Sequence, residues 1–343
     1  MFLSITRIGF SRSSVYAAEL ERIGCPVSYH NFEHKNRILT FWAFQKKLTG
    51  DEILIISASS QILAALFLPF IRNFIVADIG WPLIDGEIGD RRRKLQFLRS
   101  LKLYLIEWNC AKKSNLVLLE SKKQLSHYAK LFPYNKKKLR VLYSGFNELQ
   151  LGETRFPRDL SQKNAIFTVM FRGKYNAEAG IEVLAKATKI LEAYPIDFLI
   201  FSPQCPDSIV FSKRSRVFSD FQDFQTIVEG YKKADLCLGQ LSDNERLSRT
   251  IPHKAFESAY FAKPYLTARQ DGILEVFDEG QEILCFEPNS SEDLSKKIIE
   301  VIGDESLKSI GKRMHKRYDT FYSQNKLTQN LLEILIESSK SAK

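Results

Sequence analysis

The chain has 343 residues, 44% of them hydrophobic and 26% charged, and a formal net charge of +10 at pH 7. That length can hold two full hydrophobic cores, and that composition is of a globular protein rather than a disordered or fibrous one. The five cysteines (Cys25, Cys110, Cys205, Cys237 and Cys285) are scattered without CxxC spacing. This argues against a disulfide framework and a zinc site, and fits a reducing compartment.

The charge is unevenly spread. Residues 1–150 carry 23 Lys and Arg against 12 Asp and Glu, whereas residues 151–343 carry 27 against 28. The positive excess therefore belongs to the first half, which predicts an anionic partner there: a membrane surface, a phospholipid-linked acceptor or nucleic acid. The basic residues lack the interleaved aromatics of a nucleic-acid module, so no nucleic acid is expected. No charged n-region, apolar h-region and cleavage site opens the chain, so a cytoplasmic protein is expected, peripheral on the inner face of the cell membrane.

Residues 2–9 read as a strand, 11–23 as a helix capped by Ser11 or Ser13, and Pro26 to His30 as a second strand. The loop from Gly9 to Ser13 is neither a GxGxxG nor a Walker loop. Helices near 38–48 and 60–71 alternate with strands at 53–58 and 74–79, which implies a parallel sheet covered on both faces. The apolar tract Ile53 to Phe70 nearly reaches membrane-spanning length, but Ser57, Ser59, Ser60 and Gln61 divide it into a strand and a helix. Asp78 ends the strand at 74–79, at the functional edge of the sheet, and is a candidate acceptor-side or catalytic carboxylate.

Residues 91–113 predict a long helix. Leu95, Leu98, Leu101, Leu105 and Trp108 recur at helical spacing, and Arg91, Arg92, Arg93, Lys94, Arg99 and Lys102 crowd its start. Two readings stay open: a basic amphipathic helix lying on an anionic membrane, or a domain helix with its leucines in the core and its charges solvated. A strand at 116–121, a helix at 122–131 and a strand at 139–145 follow, and the mixed polar stretch 146–163 reads as a linker.

The alternation restarts in the second half. Strands at 165–173, 197–203 and 234–240 enclose helices at 178–193 and 221–233, and a polar loop 241–251 holds Arg246 and Arg249. The stretch Ile251 to Phe277 is the richest in signals. Pro252 suits the first turn of a helix, Lys263-Pro264 ends it, Tyr265–Ala268 reads as a buried strand and Asp271-Gly272 as a turn. In an α/β sheet that helix starts at the strand C-terminal edge, where its free N–H groups face an anion. Lys254 and Glu257 lie three apart and share one face. They could hold a diphosphate and a sugar hydroxyl, or form an ordinary surface ion pair. A strand at 283–288 and a helix from Ser291 follow. The last 35 residues read as helical, with Tyr318, Phe321, Tyr322, Leu327, Leu331 and Leu335 on the apolar face. The expected domains are 1–152, 153–318 and a C-terminal helix 319–343 crossing back to the first domain, with a ligand cleft between two comparable halves.

Several segments in order carry a family resemblance: NLVLLES, KLRVLYSGFNE, FRGKYNAEAGIEVLAKATKIL, VEGYKKADLCLG, PHKAFESAYFAKPYLTARQDGILEVF and EILCFEPNSSEDLSKKI. They resemble the retaining nucleotide-sugar glycosyltransferases of GT-B architecture, family four. The resemblance implies two Rossmann-like domains facing across a cleft, a nucleotide-sugar donor held mainly by the second, and an acceptor held mainly by the first. It places Gly173 and Lys174 where the family's glycine-arginine pair meets the donor phosphates, with Arg172 beside them. Glu257 matches the second of the family's paired glutamates, which holds the ribose; Arg249 stands at the first, and Ala179 where the family has a lysine.

The activity so implied is transfer of a sugar from a nucleotide-sugar donor to a lipid-linked or polysaccharide acceptor, with retention. No DxD-type pair lies in a suitable loop, so no metal and no cofactor beyond the donor is expected. Asp78, Lys174 and Arg172 are the catalytic candidates, and Lys254, Glu257, Arg249 and Gly173 the donor-binding ones. Arg91, Arg92, Arg93 and Lys94 are the candidates facing acceptor or membrane. A non-catalytic scaffold of a glycan-assembly complex and a sugar-nucleotide epimerase fit the same architecture.

Overall fold

The computed structural model describes residues 3–6, 11–30, 51–57, 71–80, 82–84, 97–151 and 166–341, with Trp42, Ala43, Lys46 and Leu48. The expected helices near 38–48 and 60–71, and the cluster Arg91, Arg92, Arg93 and Lys94, lie largely or wholly outside these residues. The chain divides into two compact units: unit 1 is Met1–Glu153 with Tyr322–Lys343, and unit 2 is Thr154–Phe321.

Unit 1 is built on a six-stranded parallel sheet. Its strands are β1 (Leu3–Thr6), β2 (Val27–His30), β3 (Ile53–Ser57), β4 (Phe74–Asp78), β5 (Leu116–Leu119) and β6 (Leu139–Val141), in the order β2-β1-β3-β4-β5-β6. Every pairing is parallel. β3 and β5 are buried at every position, as unbroken apolar runs covered on both faces must be. Side chains alternate across the sheet. Leu54, Ile56, Val117 and Leu119 meet Cys110 and Ala111 of α2 (Phe97–Lys113) and Tyr128 of α3 (Lys122–Leu131). Ile53, Ile55, Leu116 and Leu118 meet Val15, Tyr16 and Leu20 of α1 (Ser11–Arg22) on the other face.

The C-terminal segment is two helices, not the single one expected from 319. Leu307–Phe321 belongs to unit 2 and Gln324–Ser341 to unit 1. The apolar positions divide accordingly. Tyr318 packs edge-on to Tyr260 in unit 2, whereas Leu327, Leu331 and Leu335 complete the unit 1 core beside α1. Gln324 locks this return: its buried side chain donates to Val15 O at 2.7 Å and accepts from Glu148 N at 3.0 Å.

Unit 2 carries a second six-stranded parallel sheet. β7 (Phe167–Arg172), β8 (Ile196–Phe201), β9 (Ser215–Phe218), β10 (Leu236–Leu238), β11 (Tyr265–Ala268) and β12 (Leu284–Phe286) lie in the order β12-β11-β10-β7-β8-β9. This is the doubly wound Rossmann order, whose direction of winding reverses between β7 and β10. The helices are α4 (Ile181–Ile190), α5 (Phe224–Lys233), α6 (His253–Tyr260), α7 (Asp271–Leu274), α8 (Ser291–Val301) and α9 (Leu307–Phe321); α10 is Gln324–Ser341 of unit 1. The sequence reading missed β9, because Ser-Arg-Val-Phe is a short, half-exposed edge strand without an apolar run. It read Asp271-Gly272 as a turn; those residues open the one-turn helix α7.

Candidate functional site

The C-terminal ends of β7 and β10 flank the reversal point of the unit 2 sheet, where open α/β folds take their ligands. The period of two assigns the side chains there. Val169 and Phe171 point into the core under α4 and α8. Arg172, of opposite parity, reaches Glu257 of α6 instead. Its guanidinium Nη1 donates to Glu257 Oε2. Tyr231 of α5 donates its hydroxyl to the same oxygen at 2.9 Å. Stacking on Phe261, with ring centroids 4.7 Å apart, holds the Tyr231 ring.

Glu257 is 9% exposed. Burial alone would raise its pKa, but the charge and hydrogen bond of Arg172, helped by Lys254 and His253, outweigh that and hold the carboxyl below its ordinary value. Burial works against the charge on Arg172 too, but Glu257 and Tyr231 overcome it and push its pKa up. Half-buried Lys254, one turn before Glu257, shifts the other way. Burial first, and the nearby Arg172 charge second, lower its pKa against the pull of Glu257 and Glu178.

A second buried pair braces the loop after β7. Arg246, in the 3₁₀ turn Glu245–Ser248, donates from Nη1 to Glu178 Oε1 at 2.6 Å. Ser242 donates to the Glu178 carbonyl at 3.0 Å, and Asn176 Oδ1 accepts from the N–H groups of Glu178 and Ala179 at 3.1 and 2.8 Å. Gly180 then starts α4 with φ +66°, and a Cβ there would lie 2.7 Å from Ser242 N. Only glycine meets both demands.

The helix starts in unit 2 differ in a telling way. Asp223 and Ser290 cap α5 and α8 with side-chain oxygens. Gln270 begins the one-turn α7 without a side-chain cap, and so do Gly180 and Pro252 at the longer α4 and α6. The starts of α4 and α6 sit at the strand C-terminal edge, and helix N-termini without a side-chain acceptor keep N–H groups available for an anion.

Of the residues singled out from sequence, the structure brings together Arg172, Lys254 and Glu257. Gly173 is buried and donates its N–H to Phe201 O at 3.0 Å, extending the β7–β8 pairing, and Lys174 next to it is exposed. Arg249 ion-pairs with Glu245 at 2.9 Å. Ala179 is buried in the core beneath α4. Asp78 belongs to unit 1 and is held there: Arg12 engages Oδ1, and the Tyr16 hydroxyl donates to Oδ2 at 2.8 Å. Arg12 also donates to the carbonyls of Leu142 and Leu118, tying the ends of three neighbouring strands together. Sequence reasoning missed Tyr231, Glu178 and the Arg12 partnership. No local pattern marks contacts that span 26, 68 and 66 positions.

Residues 182–333 match the family model described as glycosyl transferase-like. No curated protein matches the chain. Among solved structures the chain is similar to Anabaena HepE in complex with UDP-glucose, at TM-score 0.73 and 13% identity over 98% of this chain and 100% of that one. It is similar to sucrose-phosphate synthase from Thermosynechococcus elongatus at TM-score 0.73 and 13% identity, over 99% of both chains. The catalytic domain of starch synthase IV from Arabidopsis thaliana, bound to ADP and acarbose, matches at TM-score 0.70 and 10% identity over 98% and 99%. The fold is therefore GT-B, with two Rossmann-like units, and the part of the chain from 182 to 333 is glycosyl transferase-like.

Proposed function

We propose that this protein transfers a sugar from a nucleoside-diphosphate donor bound by unit 2 to a lipid-linked or polysaccharide acceptor at a membrane surface, with retention and without a metal ion. One observation carries the reading. A buried, ionised glutamate is fixed by Arg172 and Tyr231 one turn beyond Lys254, on a helix that starts without a side-chain cap. An ionised carboxylate held from one side accepts ribose hydroxyls with the other. A helix start and a lysine beside it complement a diphosphate.

In this reading Glu257 receives the ribose, and Lys254 with exposed Lys174 takes the diphosphate. Gly173 keeps the backbone low beneath it. Arg172 is a positioning residue for Glu257, and Arg249 extends the cationic rim. Departure of the leaving group puts negative charge on the diphosphate while the anomeric carbon becomes oxocarbenium-like. Cations and N–H groups already in place stabilise that charge without reorganising, each contributing roughly 2.7–4 kcal/mol. Asp78 contributes by fixing strand ends of unit 1, since Arg12 and Tyr16 occupy its two oxygens. The engagement of Arg249 by Glu245, at the place of a family glutamate, favours the scaffold reading as the alternative.

The test is donor hydrolysis and transfer by the purified protein across nucleotide sugars, starting with UDP-glucose because HepE was crystallised with it. Lys174→Ala and Glu257→Ala are expected to lower turnover about 10²-fold or more. Unchanged turnover would remove the site assignment. Donor binding without turnover on any acceptor would support a scaffold, and a new sugar nucleotide formed without acceptor would support an epimerase.

A further inference from the structure

We propose that the outer face of α2 and α3 in unit 1 is an interfacial surface for anionic bilayers, its leucines entering the headgroup boundary and its lysines meeting the lipid phosphates. The inference deepens the membrane side of the proposed function and rests on that reading only for the nature of the acceptor.

The first observation is that α2 has two apolar sides. Cys110 and Ala111 are buried against the sheet. Leu98, Leu101 and Leu105 are 79%, 44% and 52% exposed. At about 100° per residue these leucines share an arc of about 100° with Lys102 and Lys112. That arc lies opposite Glu107, which is buried and accepts from the N–H groups of Leu83 and Ile84, each at 3.3 Å. Leu98, Leu101 and Leu105 are therefore on the outward side. Three of them on one short arc form a patch, which scattered surface leucines do not.

The second observation is the charge around that patch. Residues 97–140 hold 11 Lys and Arg and two carboxylates, Glu107 and Glu120, and both carboxylates are buried. The surface of this layer is cationic throughout. Tyr104 of α2 stacks on Phe132 just beyond α3, with ring centroids 5.1 Å apart, so the two helices form one layer. Lys138 Nζ donates to Lys112 O at 3.0 Å and Ser114 O at 2.8 Å. This pins the 3₁₀ turn Pro133–Lys138 to the end of α2 and brings exposed Lys136 and Lys137 to the end that carries exposed Lys112 and Lys113.

Charge complementarity identifies the occupant. A second copy would oppose one cationic layer to another. An anionic bilayer offers phosphates to the lysines and acyl chains to the leucines in one plane, as amphipathic interfacial helices require. Among the described residues no helix is long and apolar enough to cross a membrane, so α2 would lie on the surface.

The experiment is flotation of the full chain with vesicles of phosphatidylcholine alone and of phosphatidylcholine mixed with phosphatidylglycerol. The protein is expected to float with the mixed vesicles, to release as salt is raised, and to stay down with phosphatidylcholine. Two variants on exposed positions, L98S/L101S/L105S and K112E/K113E/K136E/K137E, are each expected to weaken binding about tenfold or more while their unfolding curves match the parent. Equal binding to both vesicle types, or undiminished binding of the leucine variant, overturns the proposal. So would a dimer by sedimentation that the leucine variant dissolves, because the face would then belong to a second copy. Thermal shift with UDP-glucose on the same preparations reads the unit 2 site separately, so loss of either result leaves the other standing.

Discussion

Tyr231 and Glu257 meet hydroxyl to carboxylate at 2.9 Å, on the one oxygen that Arg172 also engages. Burial opposes the charge on Glu257, but the charge and hydrogen bond of Arg172, with the charges of Lys254 and His253, outweigh it and make the ionised form the stable one.

That preference sets a pH dependence. A carboxyl whose folded pKa lies below its unfolded value contributes stability that is fully present above the unfolded pKa. The contribution is lost as pH falls through the folded pKa, so the wild type should lose stability below about pH 4.3. Glu257→Gln cannot titrate and should show a shallower acid limb. Urea midpoints measured across that range for both proteins check it; parallel limbs would mean that Glu257 is not depressed.

Arg172 and Glu257 should be strongly coupled. Removing either partner of a fully buried pair costs about 3–5 kcal/mol, but the Arg172 side chain is 31% exposed, so solvent offsets part of that cost here. We expect Arg172→Met and Glu257→Leu each to lose less than this, and the double variant to lose well under their sum. A double-mutant cycle by urea unfolding reads the coupling directly, and additive losses would show that the contact carries no energy.

Lys254 gives an alkaline signature. Burial and the Arg172 charge lower its pKa, so its ammonium loses the proton before an ordinary lysine does, below about pH 10.4. If Lys254 holds the diphosphate as proposed, donor affinity should decline as pH rises through that lowered value, because the cation disappears. Lys254→Arg should keep its charge and remove the decline. Titrations of UDP-glucose across the alkaline range check this.

Gly180→Ala should disturb the loop that starts α4. The residue has φ +66°, and a Cβ would lie 2.7 Å from Ser242 N and 2.9 Å from Leu241 C. Left-handed strain alone costs about 1–3 kcal/mol, and the backbone clash adds to it. We expect at least that loss in unit 2 stability, with donor affinity falling as the β7–α4 loop shifts. Calorimetric unfolding with and without donor separates the two effects.

The sequence by itself determined the two parallel sheets. Unbroken apolar runs such as Ile53–Ile56 alternate with helical periods, and alternation of this kind is a local property of the chain. It also placed Arg172, Lys254 and Glu257 at one sheet edge, because each lies beside a strand end or a helix start that proline and glycine mark. Only the tertiary structure decided what those residues touch. Arg172 finds Glu257 85 positions away, and Arg12 closes on Asp78 66 positions away. Neither distance leaves a trace in local spacing, because the pairings arise when separate strands and helices pack. The leucines of α2 show the same division: helical periodicity puts them on one side, but only the packed sheet says which side faces out.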